Sequence, residues 1–300
     1  MANWERIPKI YKCKDHSPYV YLHNIIDGVV HPPHVTEANM KYIAEEFPFA
    51  EDDVWLATFP KSGTTWTQAI LKELYNFPKE TKITDCFPWI EGDGDKPTGP
   101  TASHEGRGPR VFKTHTPYHQ LPRATKGGGR RRVIYVARNG KDVAVSLYFH
   151  SIGFKAFSYE GPFEHFLRMY LHGEVESGAW HDHVAGFWQA RDETMLFLTY
   201  EDMKGDPEGL VLRLASFLGV PCTAERAAEI AIKTDFSAMK KDPAANYGWT
   251  AERRNADTPQ FMRKGQVGDW KNHFSEEQSA EFDLQMGSKL EKLGVPLRYE

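Results

Sequence analysis

Short apolar runs and helical spacings alternate along this chain. Val54-Trp55-Leu56-Ala57-Thr58-Phe59 is almost unbroken in its apolarity, the pattern of a strand buried on both faces. It leads through a turn into a segment whose apolar positions Trp66, Ile70 and Leu74 recur every four residues, the spacing of one helix face. Val111-Phe112, Val133-Ile134-Tyr135-Val136-Ala137 and Met195-Leu196-Phe197-Leu198-Thr199 are further runs of the strand type. Asn139 predicts the N-cap of a helix starting near Lys141, with Asp142 three residues on, and Asp206 precedes a helix opening at Pro207. Ser275 and Gln278 carry the signature of a capping box for a last helix that Gly294 ends. Strands alternating with helices predict an α/β fold, a central and mostly parallel sheet flanked by helices.

The polar interruptions are short. Residues 91–110 hold five glycines and three prolines, which suits either a lid or a surface excursion, and Lys126-Gly127-Gly128-Gly129-Arg130 reads as a flexible basic turn. Neither is long enough to link domains, so one domain is expected over residues 1–300, with 1–31 as an N-terminal segment lying on it. With 40% hydrophobic and 26% charged residues, the 300-residue chain is outside the disordered class. Its 37 Lys and Arg against 41 Asp and Glu leave a formal charge of −4, which offers no global field for nucleic acid or an anionic membrane. Any anion site is therefore local. No apolar run reaches the length of a membrane span, and the N-terminus lacks the pattern of a secretory signal. Cys13, Cys86 and Cys222 are far apart and include no C-x-x-C, which argues against a disulfide framework and a zinc site and points to a reducing, cytoplasmic setting.

Phe59-Pro60-Lys61-Ser62-Gly63-Thr64-Thr65-Trp66 lies between the first strand and its helix. Gly63 lets the backbone turn its N–H groups inward, the hydroxyls add donors, Lys61 adds charge and the helix N-terminus adds its dipole, together a cradle for phosphate. The triphosphatase loop G-x-x-x-x-G-K-[ST] differs, since Lys61 precedes Gly63 here. A plain capping turn at Thr64 or Thr65 is the alternative, but it has no use for the cation. Arg138 ends a strand, where open α/β sheets place ligands, and Ser146 lies about two turns into the next helix, so both can face one anion. The alternative there is a surface ion pair and a solvated serine. Arg263-Lys264-Gly265-Gln266-Val267-Gly268-Asp269-Trp270 joins two cations to two glycines, suited to folding over an anion or, taken alone, to a solvated basic turn.

Together these three elements resemble the signatures of the cytosolic sulfotransferases, in the same order and across nearly the whole chain from about Pro32. The resemblance implies 3'-phosphoadenosine 5'-phosphosulfate (PAPS) as sulfuryl donor, a small hydroxyl or amine compound as acceptor, no metal, and a phosphate-binding loop like that of nucleotide kinases. By motif it places Lys61, Ser62, Gly63, Thr64, Thr65 and Trp66 around the 5'-phosphosulfate. Arg138, Ser146, Arg263, Lys264 and Gly265 are placed around the 3'-phosphate. Trp66, Tyr200, Thr234 and Phe236 then form the adenine pocket. Lys113 and His115, in Val111-Phe112-Lys113-Thr114-His115, match the family's catalytic strand end, and alternate strand residues face one side, so the two can converge on one space. His115 would take the acceptor's proton, and Lys61 and Lys113 would stabilise the transferring group.

Two other readings share the cradle. A nucleotide kinase or triphosphatase needs a lysine after the glycine and an acidic strand end for magnesium, and only the second has a mimic here, in Thr199-Tyr200-Glu201-Asp202. A nucleotide-binding protein without catalysis would have no need of Lys113 and His115. The resemblance also places the acceptor pocket near Phe87, Trp89, Phe149, Tyr247 and Trp249, an aromatic set suited to a flat or apolar molecule. Many family members dimerise through K-x-x-x-T-V-x-x-x-E after the Gly-Asp-Trp element. The corresponding positions here are Lys271, Ser275, Glu276 and Ala280, so a charge replaces the apolar contact and a homodimer by that route is weakened.

Overall fold

In the computed structural model, which describes residues 19–92, 94, 97, 99–122 and 132–298, alternate residues of each central strand enter opposite cores. An antiparallel pair, β1 (Asn24–Ile26) and β2 (Val29–His31), precedes α1 (Glu37–Glu45) and the first central strand, β3 (Val54–Thr58). Helix α2 (Thr64–Leu74) and the single turn α3 (Ile83–Cys86) lead to β4 (Val111–Thr114), and β5 (Arg132–Ala137) follows. Helices α4 (Gly140–Gly153), α5 (Phe163–Leu171) and α6 (Trp180–Gln189) connect β5 to β6 (Met195–Thr199). After it come α7 (Tyr200–Gly205), α8 (Pro207–Leu218), α9 (Ala224–Lys233), α10 (Phe236–Lys241), α11 (Glu276–Phe282) and α12 (Ser288–Lys292).

The four central strands are parallel in the order β4-β3-β5-β6, the α/β sheet that the alternation of patterns predicts. β3 lies between β4 and β5, with Val54 level with both Val111 and Arg132. The chain leaves β3 to one side and then returns to the other, so the carboxyl ends of these strands flank a switch point, where open sheets bind ligands. Trp55, Ala57, Phe112, Val133 and Tyr135 pack on one face against α4 to α6, while Val54, Leu56, Val111, Ile134 and Val136 pack on the other against α2 and α8. The two-residue period of a pleated strand thus divides one apolar run between two cores.

Several local expectations are modified by tertiary contacts. Asn139 caps α4 as expected, its side chain accepting from the Lys141 N–H, but the Asp142 carboxylate turns outward to accept from the N–H groups of Gly268 (2.8 Å) and Trp270 (3.0 Å). The Ser275 capping box forms, yet the helix it opens passes through a π-turn at Asp283–Gly287 before α12. Residues 91–110 are fastened rather than loose where described. The His104 ring sits in a nest of Tyr75, Phe77 and Phe87 and bonds the Cys86 carbonyl, and Arg107 donates to the carbonyls of Tyr75 and Asn76. Arg110 also grips the buried Asp53 with both arms of its guanidinium. The basic turn at 126–130, most of the N-terminal segment and Cys13 lie outside the described residues, within which Cys86 and Cys222 are free thiols.

Candidate active site

The loop after β3 begins with an enforced conformation. Lys61 is held at φ 70° and Gly63 at φ 111°, both in the left-handed region, and a Cβ on Gly63 would come within 2.9 Å of the Tyr200 ring. Gly63 is the N-cap of α2, and no side chain caps that end. The N–H groups of the first turn therefore face the cavity with the helix dipole behind them, ready for an anion. The side chain of Thr64, which could have capped, instead meets the Thr58 hydroxyl at 2.7 Å.

This end of α2 opens into a cavity of about 1510 Å³ along the carboxyl ends of the strands. Lys61, Gly63, Thr64, Thr65, Trp66, Arg138, Ser146, Tyr200, Thr234, Phe236, Arg263, Lys264 and Gly265 all line it, as do Lys113 and His115 and, of the aromatic set, Trp89, Tyr247 and Trp249. Three expected residues are elsewhere. Ser62 is fully buried, its N–H is spent on the Phe59 carbonyl, and its Oγ meets no partner. Phe87 belongs to the core, where its ring packs on Tyr75 and Phe77, because the turn of α3 directs it toward α2 rather than toward the sheet edge. Phe149 lies 4.5 Å from the Arg263 guanidinium and outside the cavity lining. His150, four residues after Ser146 and so on the same helix face, takes the place expected for Phe149.

Arg138 is a clamp between two loops. It donates to the carbonyls of Lys61 and Gln266, each at 3.0 Å, with its guanidinium 4.4 Å above the Tyr200 ring. Arg263 and Lys264 both bond Asp269, at 2.7 and 2.6 Å. Burial would raise the Asp269 carboxyl, but the bonds from Lys264, Arg263 and Asn272 hold it well below the usual range. Tyr200 completes the arrangement by donating to the Gly265 carbonyl at 3.2 Å, and Phe236 closes so tightly over Gly265 that a Cβ there would lie 2.1 Å from the ring. The sequence signal for Asp142 and Asp269 as organisers of this loop was absent, because each is an ordinary acidic residue until the fold brings the loop to it.

His115, 7% exposed, is oriented by the strand beside it. Its Nδ1 lies 2.9 Å from the Thr58 carbonyl, which can only accept, so the proton sits on Nδ1 and Nε2 keeps its lone pair. The His115 carbonyl accepts from His183 Nε2, whose Nδ1 meets the Tyr135 hydroxyl, and the His115 N–H donates to the Glu91 carboxylate. Burial, then the charge of Lys113, hold the His115 ring neutral well below its ordinary titration range. Lys113 Nζ rests 4.6 Å from the Trp89 ring, and Lys61 Nζ lies 3.9 Å from Phe261. Burial, together with Lys113, Arg254 and Arg138 and against the pull of Glu176, brings Lys61 down to about 7. Phe261, with no motif to announce it, stacks on Tyr247 at 4.3 Å and continues the wall begun by Trp249.

The Sulfotransferase domain family profile matches residues 51–294. Mouse Sulfotransferase 1E1 is 36% identical over 264 residues, covering 85% of this chain and 89% of that protein. Mouse Sulfotransferase 1B1 is 37% identical over 256 residues, 82% and 85% of the two chains. Among solved structures, mouse sulfotransferase SULT7A1 complexed with PAP matches with a TM-score of 0.72 and 27% identity, over 90% of this chain and 95% of that one. Retinol dehydratase in complex with androsterone and inactive cofactor PAP shares the fold at a TM-score of 0.77 and 23% identity, over 94% and 92%. A domain match across most of the length and relatives above a third identical agree: the chain belongs to the sulfotransferase family.

Proposed function

We propose that this sulfotransferase moves a sulfuryl group from PAPS to the hydroxyl of a small aromatic or apolar acceptor, with His115 as general base. The observation that carries this reading is the pairing of a neutral His115 with an available Nε2 and two half-buried lysines beside an uncapped helix N-terminus. The cavity suits the donor. Lys61, Lys113, Arg138, Arg263 and Lys264 line it, and the Trp66 indole N–H and Arg138 Nε are buried without hydrogen-bond partners.

PAPS supplies a sulfuryl group joined to a phosphate leaving group. Lys61, the first N–H groups of α2 and the hydroxyl of Thr65 would hold the 5' end and stabilise charge as it gathers on the leaving oxygen. Arg138, Ser146 and the 263–265 loop would hold the 3'-phosphate, with Trp66, Tyr200, Thr234 and Phe236 about the base. Lys113 would stabilise the group in transit while His115 Nε2 takes the acceptor proton, and alignment of the two substrates supplies much of the remaining barrier reduction. The aromatic wall of Trp89, Tyr247, Trp249 and Phe261 supports an acceptor with a flat or apolar body.

His115→Ala tests the reading. Turnover on an aliphatic alcohol is expected to fall by ~10²–10⁴-fold with little change in nucleotide affinity, and an acidic phenol, already largely ionised at the assay pH, should lose less. Equal losses on both acceptors would leave His115 with a positioning role only.

A further inference from the structure

Glu176 is the one cavity-lining carboxylate that neither the phosphate cradle nor the proposed base employs among the described residues that are buried in its wall. It follows Val175 in the segment between α5 and α6, is 3% exposed, and its Oε2 finds no hydrogen-bond partner. His150 Nε2 is 4.0 Å from that oxygen, beyond hydrogen-bond reach, and burial with the charges of Lys61, Arg254 and Lys113 keeps that ring neutral. Lys61 and Lys113 act on Glu176 through space, Glu91 repels it, and the Tyr21 hydroxyl is engaged with its backbone N–H rather than with the carboxylate. Burial, opposed by the two lysines, brings Glu176 up to about 7.

A buried carboxylate without a donor is costly unless a ligand completes it. The two lysines do not serve once the site is loaded, because under the reading above they face the phosphate and sulfate charges of the donor. Glu176 is then the buried carboxyl of the acceptor side left without a charged partner, a group that a ligand ammonium would hold in its ionised form, and Phe154 and Phe157 line the same cavity. We propose that Glu176 is a specificity-determining residue that selects hydroxyl acceptors carrying an ammonium group away from the reacting hydroxyl. The ammonium is the handle and not the nucleophile, since a protonated nitrogen has no lone pair to attack with. This rests on the sulfotransferase reading of the same cavity.

The test compares 4-(2-aminoethyl)phenol with its neutral counterpart 4-propylphenol, on the full chain and on Glu176→Gln, which keeps the shape and removes the charge. Calorimetric affinity of each phenol for the PAP-saturated protein is measured beside turnover with PAPS. The charged phenol should be preferred by about 10–100-fold, and the preference should collapse toward unity in Glu176→Gln. Glu176→Ser, smaller and also uncharged, should collapse it too, and unchanged PAP affinity in either variant shows that the fold is intact. An absent preference in the wild type, its persistence in both variants, or a change confined to PAP affinity would overturn the proposal. Ammonium-selective binding without turnover on either phenol would instead overturn the sulfotransfer reading and leave the role of Glu176 standing.

Discussion

Lys61 shows how one residue can be set by opposing forces. Its backbone is held in the left-handed region, its ammonium sits among Phe261, Lys113 and Arg138, and burial lowers its pKa to about 7. The sign of the consequence follows directly. Below that value Lys61 is charged and attracts an anion; above it the free site loses the charge proposed to hold the sulfuryl donor. kcat/KM for PAPS is therefore expected to fall as pH rises through about 7, and the fall should move to higher pH in Lys61→Arg, whose guanidinium stays charged. His115, displaced in the same direction from its ordinary value, stays neutral into acid, so no acid limb is expected near the ordinary histidine range. Steady-state rates at limiting PAPS across pH decide the matter: a profile flat through this range in the wild type, or unmoved by Lys61→Arg, would remove Lys61 from the role.

At the scale of elements, the proposed anion site joins three that are distant in sequence. The turn before α2, the start of α4 and the loop at 263–270 are tied by Arg138 to the carbonyls of Lys61 and Gln266 and by Asp142 to the N–H groups of Gly268 and Trp270. Hydrogen bonds to a charged group contribute roughly 1.5–3 kcal/mol each, so Asp142→Ala should loosen the third loop while leaving α4 capped by Asn139. The expected result is a PAP affinity weakened by about tenfold or more in calorimetric titration, with turnover at saturating PAPS much less affected. Equal losses in both would mean that the loop shapes the reacting centre itself.

For the whole molecule, the question left by the fold is its assembly. Lys271, Ser275, Glu276 and Ala280 are all exposed, but they surround the capping box of α11, where Glu276 occupies the first helical position and an acidic residue favours the helix N-terminus. A glutamate so placed on both sides of a twofold contact would meet its own charge. Sedimentation equilibrium is expected to find a single species of 34.3 kDa at micromolar concentration. A species of twice that mass, dissociated by substitutions in this segment, would show that the altered pattern still pairs.

The features legible along the chain are local or periodic: the strand runs, the helix caps at Asn139, Asp206 and Ser275, and the turn at Gly63. Each depends on neighbours within a few residues, so its cause is written where it acts. Of the motif between β3 and α2, Lys61, Gly63, Thr64, Thr65 and Trp66 line the cavity, whereas Ser62, read with them, is buried away from it. Tertiary structure alone decided that Phe87 faces the core and that His150 rather than Phe149 faces the cavity, since aromatic composition says nothing of direction. It alone brought Phe261 to Lys61 and Asp269 to Arg263, and it alone left Glu176 buried without a hydrogen bond at Oε2. The chemistry of a carboxylate or an ammonium is set by the charges and water around it, and those arrive from parts of the chain that only the folded sheet brings together.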